Sequence, residues 1–280
     1  DAYNVAIGRN AGANVTTGVE NTLIGGLTGD AITDADYNVG VGVSALSSDT
    51  LGSRNTAIGT FSLQTQNFTT ATDAYNTAVG YNAGSAVTTG TGNTLMGGLA
   101  GDALTVGESN VVLGFNALTV DTKGNKSTAI GQGALSAQNF TTATDSFNTA
   151  VGFEAGDQVT TGIQNVLLGS KAGDALTDAD YNVAVGHGAL TVDTLGSKST
   201  AMGTNALQNQ NFTTATDSFN TALGFHAGYA VTTGVENSII GALAGDALTI
   251  GYQNVVNGFQ ALSAETTGSR NVAIGINALN

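Results

Sequence analysis

The chain has 280 residues and a formal net charge of −14, with 21 acidic and 7 basic side chains; it contains 40 glycines but no proline, cysteine or tryptophan. The acidic balance argues against a nucleic-acid partner, because phosphates are bound by basic surfaces. The lack of cysteine excludes disulfides and thiolate metal sites. No apolar run is long enough to predict a membrane-spanning helix, and 41% hydrophobic residues are too many for a disordered segment.

A pentapeptide of the form Asn-Thr-Ala-Ile-Gly, as at 55–59, recurs along the whole chain with small variations. We call its last residue the coil glycine, and the coil glycines stand at positions 8, 25, 42, 59, 80, 97, 114, 131, 152, 169, 186, 203, 224, 241, 258 and 275. Three steps of 17 residues and one of 21 make a super-repeat of 72, and the last of four super-repeats is incomplete. A fixed period of this kind predicts a solenoid built of stacked coils. We expect residues 1–280 to be a single continuous β-solenoid region, and a piece of a longer fibre.

Each pentapeptide predicts a short strand. The residue three before the coil glycine is Val, Thr or Ser, and the residue one before it is almost always Ile, Val, Leu or Met. These two positions share one face of a strand, which we expect to line the coil interior. The residue two before the glycine is also apolar or small, so the opposite face should be covered by another copy of the chain. The oligomer interface predicted from this position includes Ala6, Leu23, Ala57, Ala78, Leu95, Val112, Ala150, Leu167, Ala222 and Ile239.

The rest of the coil predicts a turn, a second extended stretch and a return turn that ends on Asn. Asn suits this corner because it tolerates left-handed backbone geometry, and its stacked amides can form a ladder. The fold class predicted is therefore all-β: a parallel β-solenoid of about sixteen coils, 17 residues each with a 21-residue coil every fourth, assembled as a trimer. The glycine density disfavours helices.

Every fourth coil is longer because of the segment 66–73, which recurs unchanged at 138–145 and 210–217. The four extra residues must bulge from the coil, and such insertions often form a binding face. Two interpretations remain open for its aromatic residue. The ring packs back against the coil or a neighbouring chain, or it contacts a receptor or glycan. The residues concerned are Phe68, Phe140 and Phe212.

Sequence motifs for chemistry are missing. The two histidines occupy different positions in their coils, and no nucleophile motif with serine, acid and histidine is present. The acids of 30–36 and 174–180 could hold Ca²⁺ or be solvated turns, but the glycine-rich calcium repeat is absent. We predict no catalytic, cofactor or metal site, and no enzymatic activity.

The segment Asn76–Ala83 resembles the head repeat of trimeric autotransporter adhesins, which are parallel β-rolls that trimerise side by side. The linking Val-Thr-Thr-Gly, as at Val15–Gly18, Val87–Gly90 and Val231–Gly234, looks more like repeats in tail-fibre proteins of marine and cyanobacterial phages. The resemblance covers the whole chain and implies a homotrimeric viral fibre shaft, on the virion surface or otherwise extracellular, that positions a receptor-binding tip for host attachment. Its partners would be itself, adjoining fibre or virion proteins and a host receptor or glycan, with no membrane insertion.

Two alternatives stay open. The first is a bacterial surface adhesin or extracellular filament, which the same repeats would serve. The second is an ice-binding solenoid, because Thr stands eight residues after the coil glycine in every coil except the long ones, as at Thr16 and Thr33. Strand propensity alone also explains such threonines.

Overall fold

The computed structural model describes residues 2–280 in two compact units, the first ending at Asp145 and the second beginning at Ser146. Each unit stacks eight coils of parallel strands, and no helix occurs in 2–280. The predicted fold, an all-β parallel β-solenoid of about sixteen coils, is confirmed. Whether residues 1–280 act as a single continuous region stays a prediction.

The first unit contains twelve short strands. They are β1 (Val5–Ile7), β2 (Thr22–Ile24), β3 (Val39–Val41), β4 (Gly52–Ser53), β5 (Thr56–Ile58), β6 (Thr72–Asp73), β7 (Thr77–Val79), β8 (Thr94–Met96), β9 (Val111–Leu113), β10 (Gly124–Asn125), β11 (Thr128–Ile130) and β12 (Thr144–Asp145). Strands β1, β2, β3, β5, β7, β8, β9 and β11 form one parallel sheet, while β4 pairs with β6 and β10 with β12.

The second unit repeats this plan with ten strands. They are β13 (Thr149–Val151), β14 (Val166–Leu168), β15 (Val183–Val185), β16 (Gly196–Ser197), β17 (Thr200–Met202), β18 (Thr216–Asp217), β19 (Thr221–Leu223), β20 (Ser238–Ile240), β21 (Val255–Asn257) and β22 (Val272–Ile274). Strands β13, β14, β15, β17, β19, β20, β21 and β22 form its parallel sheet, and β16 pairs with β18.

The strand register matches equivalent positions of consecutive coils. Ala6 stands opposite Leu23, and Ala57 stands opposite Ala78 across the long coil. The four extra residues of that coil therefore leave the main sheet undisturbed and add the short β4–β6 pairing instead. Each pentapeptide thus keeps its place in the stack whatever the length of the coil that precedes it.

The coil glycine is required by the closeness of the next coil. Gly59 has φ of +133°, and a Cβ atom placed on it would lie 2.3 Å from the carbonyl oxygen of Gly80. An L side chain rarely adopts such a φ, and the backbone of the neighbouring coil leaves no space for it. Glycine at this position therefore allows both the turn and the tight stacking.

The predicted ladder of asparagine amides is confirmed. The backbone N–H of Asn93 donates to Oδ1 of Asn76 at 2.9 Å, and Asn93 Nδ2 donates to the carbonyl of Gly107 at 2.8 Å. The expected left-handed geometry, however, belongs to the residue before each Asn, such as Tyr75 with φ of 52°. Asn is selected because its buried amide satisfies two backbone groups of the next coil at once, since Asn93 Oδ1 also accepts the N–H of Asn110 at 3.0 Å.

The predicted assignment of the two strand faces is wrong. The residue two before the coil glycine lies inside the coil of its own chain: Leu95 and Leu167 have 0% exposure and Leu23 has 1%. The same holds for Ala57, Ala78, Val112, Ala150, Ala222 and Ile239, whereas Ala6 in the first coil is exposed. A residue buried in its own coil offers no surface to a partner. The residues one and three before the glycine lie on the outside instead.

The physical reason is the narrowness of the coil. Where the interior residue is large, its coil has Gly four residues after the coil glycine, and a Cβ on Gly101 would lie 2.9 Å from Leu95 Cδ2. In the coil of Ala57 the interior residue is small, and that same position is the buried Leu63. In coils such as that of Ala78 both positions are small, and a Cβ on Gly84 would lie 2.5 Å from Leu95 Cδ1 and 3.1 Å from Leu63 Cδ2 of the neighbouring coils. Interior volume is thus shared between two positions of a coil and between neighbouring coils, as close packing requires.

Candidate functional site

The residues one and three before each coil glycine form a continuous outward surface in each unit, which we call the outer strand face. They are Thr, Ser, Val, Ile, Leu or Met throughout, apart from Asn257, and none is charged. Leu113 in the first unit is 47% exposed and Leu223 in the second is 46% exposed. Apolar side chains are thus arranged in rows on the outside of a coil stack whose interior is already filled.

Two rims border this face. They consist of the residue five before the coil glycine and the residue one after it, and many are exposed aromatic residues. Those of the first unit are Tyr3, Tyr37, Tyr75, Tyr81 and Phe115, and those of the second are Phe147, Phe153, Tyr181, Phe219, Phe225 and Phe259. Charges such as Arg54 and Glu20 occur at the rim and not at the centre. Depletion of charged residues at the centre and enrichment of aromatic residues are both typical of protein–protein interfaces.

The size of the face can be estimated from strand geometry. Eight strands spaced ~4.8 Å apart cover ~38 Å, and the three residues of each strand cover ~10 Å, so the outer strand face of each unit presents roughly 380 Å². The largest apolar patch on a typical monomer is about 300–600 Å², whereas a standard interface buries about 800 Å² on each partner. The outer strand face alone is as large as the largest apolar patch of a typical monomer, and the two rims extend it on both sides.

A buried aspartate accepts hydrogen bonds from the inserted segment of each long coil. Asp49, seven residues after its coil glycine, points into the interior and is 1% exposed. Its Oδ1 accepts the backbone N–H of Gly52 at 3.0 Å and of Phe68 at 3.3 Å, and its Oδ2 accepts Gln66 Nε2 at 2.5 Å. Gln66 Oε1 in turn accepts Asn76 Nδ2 at 2.8 Å, which joins the acid to the amide ladder.

The same arrangement recurs in every long coil. Asp121 accepts Gln138 Nε2 at 2.6 Å, and Asp193 accepts Gln210 Nε2 at 2.6 Å. Burial raises the pKa of the Asp49 and Asp193 carboxyl groups, although the hydrogen bonds that they accept act in the opposite direction. Sequence reasoning missed these groups. The available signal was their position in the coil, which in other coils holds Val15 or Ile32.

The aromatic residue of the long coil packs inward. Phe68, Phe140 and Phe212 are 6%, 5% and 6% exposed. A Cβ on Gly52 would lie 2.7 Å from Phe68 Cδ2, which shows how closely the ring covers the preceding coil. Of the two interpretations left open by the sequence, packing back against the coil is the one observed for these rings, so they present little surface to a receptor.

The exposed part of the long coil is the segment Thr-Thr-Ala at 69–71 and its equivalents. An ion pair ties it to the preceding coil: Arg54 Nε lies 3.0 Å from Asp73 Oδ2, and Lys198 Nζ lies 2.5 Å from Asp217 Oδ2. The guanidinium carbon of Arg54 lies 4.7 Å from the ring centroid of Tyr37 and 5.9 Å from that of Tyr75. Each loop is thus buried at its base and paired at its edge.

The threonine column and the acid clusters take part in coil stacking. Thr105 Oγ1 donates to the carbonyl of Thr122 at 2.9 Å, and similar bonds recur along the column. In the first acid cluster, Thr17 Oγ1 donates to Asp34 Oδ1 at 2.5 Å and the N–H of Val19 donates to Asp36 Oδ1 at 2.7 Å. These hydroxyls and carboxylates therefore already bond to the neighbouring coil.

Residues 2–280 contain no pocket and no group of three or more His, Asp or Glu side chains arranged for a metal ion. No helix in this range could cross a membrane. His226 lies stacked between Phe225 and Tyr229, with ring centroids 4.1 and 4.6 Å away.

Taken together, the repeats and the stacked coils define the class of this protein: it is a tandem-repeat parallel β-solenoid. No family model, curated protein or solved structure matches the chain. The features available for assigning a function are therefore the outer strand face, its rims and the exposed loops.

Proposed function

We propose that the chain is the structural shaft of a homotrimeric viral fibre, which positions a receptor-binding tip for host attachment at the virion surface. The observation that carries the proposal is the outer strand face, an uncharged and largely apolar surface on coils whose interior is already packed. Another copy of the chain is its most economical cover, because identical repeats present the same rows at the same spacing. The role is mechanical: stacked coils satisfy backbone groups along the stack, and the outer faces join the chains.

Three chains is the number that the repeat resemblance suggests, and copies meeting around one axis would each contribute the same face. The rims support this arrangement, because Tyr and Phe rings beside sparse charges form a border that can exclude water from an apolar centre. A bacterial surface adhesin or extracellular filament would use the same shaft. Labelling with an antibody against this chain separates the owners: label on virions supports a viral fibre, and label on bacterial cells supports an adhesin.

The assembly can be tested by mass. Purified chain should sediment at about three times the 27.8 kDa of one chain over a wide range of concentrations. The paired substitution Leu113→Asp with Leu223→Asp places one charge on the outer strand face of each unit and should reduce the mass to 27.8 kDa. Thr89→Asp with Thr233→Asp, on exposed turns away from that face, is the matched control and should leave the mass unchanged. A native chain that stays monomeric at every concentration contradicts the proposal.

A further inference from the structure

Asn257 interrupts a row of apolar side chains on the outer strand face of the second unit. Fifteen of the sixteen residues one before a coil glycine are Ile, Val, Leu or Met, and Asn257 is the exception. The strand register places Asn257 between Ile240 of β20 and Ile274 of β22, which are 37% and 67% exposed. Val255, on the same face of β21, is 44% exposed. An amide thus stands among exposed apolar side chains.

The fold of a single chain makes no use of this amide. Within 2–280 the Asn257 side chain is exposed and has no hydrogen-bond partner, while its backbone carbonyl accepts the N–H of Gly275 at 2.8 Å. Asn254, three residues earlier, is the opposite case. It is buried, and its Nδ2 donates to Asn237 Oδ1 at 3.0 Å and to the carbonyl of Gly268 at 2.9 Å. Stacking of the coils therefore explains Asn254 but not Asn257.

A covering copy of the chain changes the environment of this amide. The proposed function requires the outer strand face to be buried by other copies, and a buried amide is unfavourable unless it forms hydrogen bonds. An amide both donates and accepts, so the Asn257 side chains of neighbouring copies can bond to each other when they lie at the same level. One coil further along, the amide would face the side chain of Ile240 or Ile274, which offers neither donor nor acceptor.

The rest of the outer strand face does not set the alignment by itself. Its rows are uncharged at every level, so a copy displaced by one coil step of ~4.8 Å would still cover them. The rims oppose that displacement, because they match in size at several levels: Phe219 and Phe225 flank β19, and Gly92 and Gly98 flank β8. Around one axis, one rim of a copy lies beside the other rim of the next. A displacement of one coil would set Phe219 beside Ala242.

A displacement of four coils, or ~19 Å, is not opposed by the rims. The super-repeat places Phe147 and Phe153 on either side of β13, four coils from β19, so that ring would again lie beside ring. Asn257 has no such equivalent, since the residue in the same place four coils earlier is Val185. The amide is therefore the feature that distinguishes one level of the second unit from the levels that otherwise resemble it.

We propose that Asn257 fixes the register in which copies of the chain align, through hydrogen bonds between its side-chain amides at one level of the assembly. The partner is a parallel second copy at zero displacement. A single polar residue in an apolar interface sets the alignment of coiled-coil helices in the same way, at a cost in stability. The proposal rests on the proposed function, because it needs copies that meet by the outer strand face, and it adds which residue aligns them.

Disulfide formation between co-expressed chains measures the alignment. Two chains with Leu223→Cys on the outer strand face, one of them carrying a tag that separates it on a gel, report copies at the same level. A chain with Leu223→Cys and a tagged chain with Val151→Cys, four coils away, report a displaced copy. Same-level links should predominate in the native background. A displaced copy also loses overlap, so the change in the ratio of displaced to same-level links is the readout.

Asn257→Leu replaces the amide with a side chain typical of its row. It should raise the ratio of displaced to same-level links on the order of tenfold, because displacement no longer leaves a buried amide unpaired. The mass and the melting temperature of the assembly should not fall. Val185→Leu is the matched control at the equivalent position and should leave the ratio unchanged. Asn257→Leu with Val185→Asn moves the amide by four coils and should restore the native ratio.

The result that overturns the proposal is an unchanged ratio in Asn257→Leu, or an equal change in Val185→Leu. All variants should keep the circular dichroism spectrum of the native chain, because both side chains lie on the outside of the coil. If the assembly keeps its mass while the ratio fails to respond, the register proposal falls and the proposed function stands. A native chain that is monomeric overturns both, and the mass identifies that case.

Discussion

Leu95 and Leu113 lie in neighbouring coils of the first unit but on opposite faces of their strands, which makes them a matched pair. Leu95 is 0% exposed inside the coil, whereas Leu113 is 47% exposed on the outer strand face. Replacing Leu95 with Ala removes three carbon groups worth about 0.8 kcal/mol each and leaves a cavity, for a total of about 3 kcal/mol. Replacing Leu113 with Ala removes groups that are already half solvated and should cost about 1 kcal/mol or less in a dissociated chain.

Urea unfolding followed by circular dichroism measures both costs. It should be run at low and high protein concentration, because any burial of Leu113 between copies adds a concentration-dependent term, whereas the cost at Leu95 is set within one chain. Leu95→Ala should shift the midpoint strongly at every concentration. An equal or larger shift for Leu113→Ala in dilute protein would refute the assignment of the two faces.

Three further outcomes are expected. Gly59→Ala should lower the melting temperature markedly, because its φ of +133° and the carbonyl oxygen 2.3 Å from the new Cβ force the coils apart. Gly26→Ala is the control and should not lower it, because the space around Gly26 is open. Equal effects of the two substitutions would contradict the tight stacking at the coil glycine. Because burial raises the folded-state pKa of Asp49 and Asp193, their contribution to stability is present below the unfolded value of 3.8 and is lost as the pH rises through the folded pKa. Asp49→Asn with Asp193→Asn should therefore flatten the decline in melting temperature above pH 3.8, and an unchanged slope would contradict this. Gln66→Ala should increase hydrogen exchange at Phe68 more than at Leu95, because the buried Asp49 loses a donor beside the loop; uniform exchange would contradict a local anchor.

The repeat predicted the architecture because a period fixes which residues stack. Coil glycines, parallel strands and the asparagine ladder all followed from the spacing, and the structure has them. Polarity gave a partial signal for the two strand faces: nine of the sixteen residues three before the coil glycine are Thr or Ser, but the other seven are Val, and none of the residues two before it is polar. Volume was a second signal: Leu23 shares a coil with Gly29, whereas Ala57 shares a coil with Leu63. Such compensation is expected inside a narrow coil and has no reason to occur across an oligomer interface.

The long coil shows a second limit of the sequence. For Phe68 the sequence left open whether the ring contacts a receptor or packs back, and in the structure it packs on the coil. Asp49 lies in the interior although it is an acid, since three donors from the turn and the next coil compensate for much of its desolvation. A single sequence shows neither partner, because both are brought near only by the stacking of coils.

Cysteine cross-linking tests most directly whether the outer strand face joins copies of the chain. The native chain contains no cysteine, so a single introduced thiol has no competing partner. Under mild oxidation, the Leu113→Cys variant should form disulfide-linked dimers of about twice 27.8 kDa on a non-reducing gel, whereas the Leu95→Cys variant, with its thiol inside the coil, should not. A Leu113→Cys variant that remains a single chain, at concentrations where the native protein is oligomeric, would contradict the assignment of this face.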